Sequence, residues 1–387
     1  MRVLLVVTGM SMGGAERVVA DLSDALAKAG HEVLLVYLKE PMEVWPRRPE
    51  VRAACVGINS VADLAPGFAR FRRLVREFKP DIVHSHMFHA TLVARIARMT
   101  TRIPSLVSTM HTAYDGGKLK ALAYRVTDRL SDISTNVSVE AVDAFVAGGA
   151  VRAGRMLAVH NGIDVHEFRP SAEARAKVRA DFDIPNGCRL FLAAGRLGWS
   201  KDYPNMFKAL ALLPAELDYR LLIAGDGSLR GSLEQMVAEL GLAARVRFLG
   251  IRRDIPALMA AADVFVLSSV GEGFGLVVAE AMASECLVVA TDAGGVREVL
   301  GDAGFLVPSQ DPRALADALV AACATVPEDA RRKGSHARRR VVESYSFDRA
   351  VERWLELYTD LLAKANRHAD VRTDDAGAKA EAPLARP

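Results

Sequence analysis

The chain has 387 residues, of which 51% are hydrophobic and 25% are charged. This composition is typical of a globular protein and excludes a disordered or fibrous one, and the length is sufficient for two domains. The net charge of +3 is too small to indicate nucleic-acid binding. The charge is unevenly spread, because residues 1–165 carry 21 basic and 16 acidic side chains.

The cysteine pattern and the short apolar runs indicate the cellular compartment of the protein. Its four cysteines lack CxxC or Cys/His spacing, which argues against a disulfide framework or a structural zinc and favours a reducing compartment. Residues 3–7 are too few to form a signal peptide, and no run of about 18 apolar residues could cross a membrane. We therefore expect a soluble, cytoplasmic protein that contacts a membrane at most at its surface.

Short apolar segments alternate with amphipathic segments in the first half of the chain. The apolar segments predict strands over residues 3–7, 32–37, 82–84, 105–108 and 133–136. The amphipathic segments predict helices over residues 15–29, 68–78, 90–99 and 118–130. This alternation is typical of a parallel sheet that is covered by helices.

The second half of the chain shows the same alternation. Strands are predicted over residues 190–194, 220–224, 246–249, 264–267 and 287–290, and helices over residues 229–240, 276–283 and 312–324. A turn-rich stretch at residues 161–170 separates the two series. We therefore predict an α/β protein with two doubly wound, Rossmann-like domains, residues 1–165 and residues 166–346.

The C-terminal region departs from the repeating pattern. Residues 347–365 predict a helix, because apolar side chains recur there at helical spacing and make one stripe: Val351, Trp354, Leu355, Tyr358, Leu361 and Leu362. A helix with such a stripe packs on another element. Residues 367–387 have little apolar surface to bury, and we predict that this tail is disordered.

The first predicted strand runs into a glycine-rich loop that contains Gly13 and Gly14. Glycines allow the backbone to approach a ligand closely at the carboxyl end of a strand, where open α/β sheets bind ligands. The loop lacks the full GxGxxG spacing, so a nicotinamide site is not expected. The alternative is a plain turn between strand and helix.

The predicted strand 190–194 is followed by two cations, Arg196 and Lys201. Cations at the carboxyl end of a strand can bracket a diphosphate and offset the charge of a leaving group. Solvated loop cations are the alternative. The predicted helix that begins near Gly275 adds backbone amides that suit an anion, so a phosphate site with two independent halves is expected.

Two glutamates, Glu272 and Glu280, lie on either side of that helix start. They could accept hydroxyls of a sugar and a ribose, or they could act as the acid and base of a glycoside hydrolase. Glu280 could also be an ordinary solvated helix residue. Its neighbours Val277, Val278 and Met282 are unusually apolar for that alternative, because a buried carboxylate needs a partner.

Histidines cluster after two predicted strands. His84, His86 and His89 follow one strand, and His111 follows the next. A metal site is an alternative, but no carboxylate or cysteine nearby completes a ligand set. We expect His111 to hydrogen-bond sugar or phosphate oxygens, and His84 and His86 could equally be residues at the edge of the core.

One basic amphipathic segment lies in the more basic half of the chain. Residues 70–78 contain four arginines at helical spacing and could lie on anionic lipid. A second basic stretch covers residues 331–340. Solvated helix faces explain both stretches equally well.

In combination, these motifs resemble the retaining nucleotide-sugar glycosyltransferases of family 4, over residues 1–365. The motifs that carry the resemblance are Gly13-Gly-Ala-Glu-Arg17, Val159-His-Asn-Gly-Ile-Asp164, Gly195-Arg196 with Lys201, Gly225-Asp-Gly227, and Glu272-Gly-Phe-Gly275 with Glu280. The family has the GT-B fold, in which two Rossmann-like domains face each other. The resemblance implies that the helix 347–365 crosses back and packs on the first domain.

The resemblance also implies a role for each matching position. The loop of Gly13 and Gly14 would approach the donor phosphates, which Arg196 and Lys201 would hold. Glu272 would contact the transferred sugar, and Glu280 would bind the ribose hydroxyls. The backbone at Gly273, Phe274, Gly275 and Leu276 would serve the sugar and the phosphates. The base would lie against Gly250 and Ile251, and His111 would lie beside the reaction centre.

The function implied is transfer of a sugar from a UDP-linked donor to a hydroxyl of a glycan or lipid-linked glycan, with retention of the anomeric configuration. The nucleotide sugar is a substrate, and no cofactor or metal is expected. Bacterial relatives of this type extend lipopolysaccharide, capsule or exopolysaccharide chains, so peripheral contact with the inner face of the plasma membrane through the basic half is expected. Two alternatives remain, a nucleotide-sugar epimerase of the same fold and a non-catalytic module that binds nucleotide sugars.

Overall fold

The structure, a computed structural model, describes the backbone of residues 1–113 and 116–380 and side chains up to residue 367. Two parallel sheets organise it. The strands of the first sheet are β1 Arg2–Met10, β2 Glu32–Met42, β3 Arg52–Cys55, β4 Ile82–His86, β5 Ser105–Met110, β6 Ile133–Asn136 and β7 Met156–Ala158. Their helices are α1 Gly14–Lys28, α2 Leu64–Phe78, α3 Phe88–Arg98, α4 Gly117–Thr127 and α5 Val139–Ala147.

The second sheet has six strands and a larger set of helices. Its strands are β8 Arg189–Ala194, β9 Tyr219–Ala224, β10 Val246–Gly250, β11 Val264–Leu267, β12 Leu287–Thr291 and β13 Phe305–Val307. The helices are α6 Ala172–Asp181, α7 Tyr203–Ala211, α8 Arg230–Glu239, α9 Ile255–Ala261, α10 Leu276–Ala283, α11 Val296–Leu300, α12 Pro312–Ala324, α13 Pro327–Tyr345 and α14 Phe347–Ala380.

Both sheets have the doubly wound strand order that the alternating pattern predicts. The first sheet is ordered β3-β2-β1-β4-β5-β6-β7 and the second β10-β9-β8-β11-β12-β13. The central strands are buried because helices cover both faces of each sheet; Val3 to Val7 are fully buried, for example. The strand order reverses between β1 and β4 and between β8 and β11, and such a reversal opens a crevice at the carboxyl ends of the strands.

Three strands of the structure are absent from the sequence prediction. They are β3, β7 and β13, each of three or four residues. All three strands lie at an outer edge of their sheet. Strands this short carry too few side chains to show a pattern in the sequence.

The C-terminal helix α14 returns to the first sheet, as the resemblance implies. Its residues Trp354, Tyr358 and Leu361 are buried in the same core cluster as Val3 and Val107. The Tyr358 hydroxyl is 2.6 Å from His84 Nδ1 of β4.

The end predicted for this helix is wrong. The structure continues α14 to Ala380, beyond the predicted end at residue 365. The disorder of residues 367–387 stays a prediction. The apolar stripe that predicts the helix ends at Leu362, so the sequence pattern does not show this continuation. The last part of the predicted disordered tail, residues 381–387, lies outside the described residues.

The predicted separation at residues 161–170 falls between β7 and α6. There the amide of Ile163 donates to the carbonyl of Tyr345 at 2.8 Å, and the amide of Phe347 donates to Ile163 at 2.9 Å. The two crossings between the sheets therefore lie side by side. None of the described helices is long and apolar enough to traverse a lipid bilayer.

Candidate active site

A cavity of about 370 Å³ lies between the carboxyl ends of the two sheets. Its lining residues are Met12, Gly13, Gly14, Ala15, His111 and Asn161 of the first half, and Gly195, Arg196, Lys201, Glu272, Gly273, Phe274, Gly275, Leu276 and Val277 of the second. Both topological reversals therefore open onto one shared space.

The glycine-rich loop after β1 approaches the second half closely. A Cβ atom on Gly14 would lie 3.0 Å from Cδ1 of Leu276, at the start of α10. The Arg196 guanidinium donates a hydrogen bond to the carbonyl of Met12 at 3.2 Å. The two walls of the cavity are therefore in close contact at position 14, where a Cβ would require the Leu276 side chain to shift by a few tenths of an ångström.

An ion pair joins two loops of the second half at the cavity. The Lys201 ammonium is 2.6 Å from Glu272 Oε1, and both side chains are about one-sixth exposed, at 16% and 15%. The Ser269 hydroxyl donates to the same Oε1 atom at 2.6 Å. Oε2 of Glu272 has no partner among the described residues, so this carboxylate keeps one free acceptor.

The loop from Glu272 to Gly275 is held from both sheets. A Cβ on Gly273 would lie 2.4 Å from the carbonyl oxygen of His111. The Ser138 hydroxyl donates to the Gly273 carbonyl at 2.7 Å, and Ser138 also begins α5 as its N-cap. Position 273 therefore accepts only glycine without moving the backbone of the opposite domain.

Helix α10 begins at this loop, with its N-terminus at the cavity. Gly275 has φ of +89°, in the left-handed region that favours glycine, and its carbonyl accepts a hydrogen bond from Val278 at 2.9 Å. The amides of Leu276 and Val277 come before that first helical donor, so they lack a partner within the helix. The helix end thus offers two N–H groups and a partial positive charge to an anion.

Glu280 lies one turn further along α10 and is half-buried. Burial raises the pKa of its carboxyl group from 4.5 to about 7, and Arg17 of α1 opposes this rise. Nearby Glu167 raises the pKa and Lys201 lowers it. No described residue hydrogen-bonds the carboxylate, so Glu280 is a polar group in need of a partner.

Three histidines connect the cavity with helix α14. His111 lines the cavity and its Nε2 is 3.0 Å from Nδ1 of His86, whose ring lies 4.0 Å from that of His84. Burial lowers the pKa of His111 to about 4 and that of His84 and His86 well below the usual value, so all three are neutral at pH 7. Among the described residues, His111 Nδ1 and His86 Nε2 have no hydrogen-bond partner.

The metal alternative for these histidines finds no support in the described part of the chain. There, no group of three or more His, Cys, Asp or Glu side chains is arranged to hold a metal ion. The His84 ring instead contacts the Tyr358 hydroxyl and the Thr109 hydroxyl, each at 2.6 Å.

Ten of the thirteen predicted site residues line the cavity. Gly250, Ile251 and Glu280 do not. Gly250 lies at the end of β10, where its carbonyl accepts a hydrogen bond from Gly225 at 2.8 Å, and Ile251 is 61% exposed. The structure therefore brings ten of the predicted residues together at one cavity and places three outside it.

Sequence reasoning missed several residues at the site. Asn161 lines the cavity and is 8% exposed, whereas its Asn-Gly-Ile-Asp motif predicts a turn and carries the family resemblance without a role for Asn161. Arg17 belongs to the glycine-rich motif and had no predicted role. Ser138 had no signal in the sequence, because its partner Gly273 is 135 positions away.

Two family models together match most of the chain. The model described as Glycosyltransferase Family 4 matches residues 12–167, and the model described as Glycosyl transferases group 1 matches residues 188–325. The break between them coincides with the stretch that joins the two sheets.

Individual proteins agree with the family models. The chain is 29% identical to the putative glycosyltransferase EpsD of Bacillus subtilis, over 76% of this chain and 80% of that protein. It is 31% identical to a D-inositol 3-phosphate glycosyltransferase of Streptomyces scabiei, over 74% of this chain and 70% of that protein. The crystal structure of Anabaena Alr3699/HepE in complex with UDP-glucose shares the fold, with a TM-score of 0.84, 24% identity, 93% of this chain covered and 100% of that chain.

Proposed function

Because the chain belongs to the group 1 glycosyl transferases of family 4, we propose that it transfers a sugar from a UDP-linked donor to a hydroxyl of a glycan or lipid-linked glycan. We further propose that the anomeric configuration is retained. The observation that carries the proposal is the cavity where Arg196, Lys201 and the N-terminus of α10 meet the carboxylate of Glu272.

The proposed phosphate site is built from three sources of positive charge. Arg196 and Lys201 contribute full positive charges from the loop after β8. The free amides of Leu276 and Val277 contribute the partial positive charge of the N-terminus of α10. Such groups stabilise the charge that develops on a departing diphosphate without any reorganisation of water. On this proposal the leaving group needs no metal ion, and activity persists in EDTA.

Lys201 changes partner when the donor binds. In the structure its ammonium pairs with Glu272, which neutralises both groups in a partly buried place. The donor diphosphate takes the place of Glu272 as the anionic partner of Lys201. The Glu272 carboxylate is then free to accept hydrogen bonds from hydroxyls of the sugar. The Ser269 hydroxyl keeps Glu272 oriented throughout.

Retention by attack on the same face fits the residues around the cavity. Glu272 is the one acidic residue among the lining residues described, and the Ser269 hydroxyl still donates to its Oε1 after Lys201 has turned to the diphosphate. It is therefore better suited to bind hydroxyls than to attack the anomeric carbon. The bond from the anomeric carbon to the phosphate breaks, the bond to the acceptor oxygen forms on the same face, and the phosphate takes the acceptor's proton.

Neutral His111 serves as a hydrogen-bonding group beside the reacting sugar. Its pKa of about 4 keeps it uncharged at pH 7, and its Nδ1 has no described protein partner. An imidazole in this state can donate to or accept from a sugar hydroxyl, according to its tautomer.

Choice of UDP as the nucleotide is supported by the solved Anabaena relative, which was crystallised with UDP-glucose. The test is the release of UDP from a panel of UDP-sugars, with GDP- and ADP-sugars as controls, in the presence and absence of a glycan or lipid extract. Release that depends on the extract supports transfer. Conversion of the donor without any extract would indicate the epimerase alternative, and binding without turnover would indicate a binding module.

A further inference from the structure

Glu298 of helix α11 bonds across the boundary between the two halves of the chain. Its Oε2 accepts a hydrogen bond from the amide of Val139 at 2.8 Å, and its Oε1 lies 2.5 Å from Nε2 of His160. Both partners belong to the first half. We propose that Glu298 is a positioning residue that holds the first half at a fixed place against residues 272–275, which we name the donor loop. This inference rests on the proposed function, because that place sets the distance from His111 to Glu272 during transfer.

The backbone at Glu298 is held within the second half. Its carbonyl accepts hydrogen bonds from the Tyr345 hydroxyl at 3.0 Å and from the Arg340 guanidinium at 2.8 Å. The Glu298 side chain is 23% exposed. Because the backbone is fixed and the side chain is largely covered, the carboxylate has little conformational freedom to lose when it bonds to the first half.

The segment that leads into α11 contacts the donor loop through its backbone. A Cβ on Gly294 would overlap the carbonyl oxygen of Glu272, and a Cβ on Gly295 would lie 2.7 Å from the carbonyl oxygen of Gly273. Gly295 directly precedes α11 as its N-cap. A movement of α11 is therefore transmitted to the donor loop, and a residue that fastens α11 to the first half also fastens the donor loop.

His160, the first partner of Glu298, lies where the chain leaves the first sheet. The preceding residue, Val159, donates its amide to the last residue of β6 at 2.8 Å. The His160 ring lies 5.9 Å from the ring of Phe274 in the donor loop and 5.4 Å from that of Tyr345 at the end of α13. The bond to Glu298 thus fixes the His160 ring beside the donor loop.

The start of helix α5 supplies the second partner. Val139 is the first residue of α5, so its amide has no acceptor within the helix, and the Glu298 carboxylate provides one. A negative charge is also favourable at a helix N-terminus. The preceding residue, Ser138, bonds to the carbonyl of Gly273. Two adjacent residues of the first half are therefore joined to α11 and to the donor loop, and without Glu298 only the Ser138 bond remains at this place.

The test uses the full-length protein and two matched pairs of variants. Glu298→Met removes both hydrogen bonds at similar side-chain length, whereas Glu298→Gln can accept from Val139 and donate to His160. Val139→Pro removes the amide donor from the other half, at a first helical position that accommodates proline, and Val139→Ala keeps the amide. Rates of UDP release give kcat and KM, calorimetry with UDP gives the donor affinity, and small-angle X-ray scattering gives the radius of gyration.

We expect Glu298→Met to lower kcat at least about tenfold and Val139→Pro to lower it several fold, because small displacements of reacting groups slow the chemical step strongly. The affinity for UDP should change far less than kcat, since Arg196, Lys201 and α10 all lie in the second half. The radius of gyration should rise in both variants. Glu298→Gln should recover most of the lost kcat, and Val139→Ala should stay close to the unaltered protein.

Two results would overturn the proposal. One is equal kcat in the Glu298→Met and Glu298→Gln variants, because the effect would then not follow the hydrogen bonds. The other is an affinity for UDP that falls as much as kcat in Glu298→Met, because Glu298 would then support the donor loop alone. An unaltered protein that releases no UDP from any donor would contradict the proposed function. In that case the radius of gyration would still decide whether Glu298 holds the two halves together.

Discussion

Lys201 and Glu272 form an ion pair of 2.6 Å between the loops that follow β8 and β11. These strands are neighbours in the second sheet, at the point where the strand order reverses. The pair therefore ties the proposed phosphate site to the proposed sugar site at the crevice where doubly wound sheets bind ligands. Since each member partly neutralises the other, removal of one also changes the second.

Replacement of Lys201 or Arg196 by alanine is expected to lower kcat/KM by about 10²-fold, because each cation stabilises the departing diphosphate. The measurement is steady-state UDP release. Lys208→Ala, on the exposed face of α7, is the matched control and should leave kcat/KM unchanged. Equal rates for Lys201→Ala and Lys208→Ala would remove Lys201 from the phosphate site.

Glu280 is expected to make donor binding pH-dependent. Its carboxyl group has a pKa of about 7, and the ionised form is the better acceptor for ribose hydroxyls. Affinity for a UDP-sugar should therefore rise by up to about tenfold between pH 6 and pH 8. Calorimetry with a UDP-sugar is the suitable measurement, because the terminal phosphate of UDP itself titrates at about pH 6. Glu280→Gln should flatten the profile, and a profile of the same slope in that variant would contradict the assignment.

The same carboxyl group is expected to affect stability with the opposite sign. The folded state binds the Glu280 proton more tightly than the unfolded state, since burial raises the pKa from 4.5 to about 7. The free energy of unfolding therefore falls as pH rises through that window, by up to about 1.4 kcal/mol per pH unit. Urea unfolding of the free protein measures this effect. Between pH 5 and pH 8, the free energy of unfolding of the Glu280→Gln variant should rise relative to that of the unaltered protein. If the free energies of unfolding of the two proteins differ by the same amount at every pH, Glu280 is an ordinary solvated glutamate.

Gly273 and Gly271 offer a matched pair two residues apart in one loop. A Cβ on Gly273 would meet the His111 carbonyl at 2.4 Å, whereas a Cβ on Gly271 would meet nothing within 4 Å. We expect Gly273→Ala to lower kcat/KM at least about tenfold, because the displaced loop moves Glu272 and the start of α10. Gly271→Ala should have little effect. Similar kinetics for both variants would show that the contact between the halves does not position the site.

Much of the second half of the site could be predicted from the sequence. The strand 264–267, the glycine loop and the helix at Leu276–Ala283 agree with the structure, because a buried apolar run, Gly275 and a second apolar run mark each boundary locally. Arg196 and Lys201 likewise follow a strand that the sequence shows clearly.

The sequence pattern does not predict the contacts between the two halves of the chain. Ser138 and Gly273 are far apart in the chain, and nothing near either residue indicates the other. The hydrogen bond from α14 to His84 was equally hidden: the stripe with Tyr358 predicts a packed helix, but not its partner. The continuation of α14 beyond residue 366 was hidden as well, because the apolar stripe that predicts the helix ends at Leu362.

Tyr358 and His84 test the return of α14 to the first sheet. The Tyr358 hydroxyl is fully buried and lies 2.6 Å from His84 Nδ1. Tyr358→Phe leaves the His84 nitrogen without that partner, so the free energy of unfolding should fall by about 1–3 kcal/mol. Urea unfolding at pH 7.5 measures this loss. An unchanged midpoint would show that the hydrogen bond does not contribute.

The central claim is that the chain moves a sugar from a UDP-linked donor to an acceptor hydroxyl with retention. NMR of the anomeric carbon, with a ¹³C-labelled UDP-sugar, an acceptor extract and EDTA in the same tube, tests it most directly. The signal should move to a new glycoside with the anomeric configuration of the donor, and Lys201→Ala should slow this change. A free sugar, an epimer, a glycoside of inverted configuration, or a reaction that stops in EDTA and resumes with a divalent ion would contradict the account.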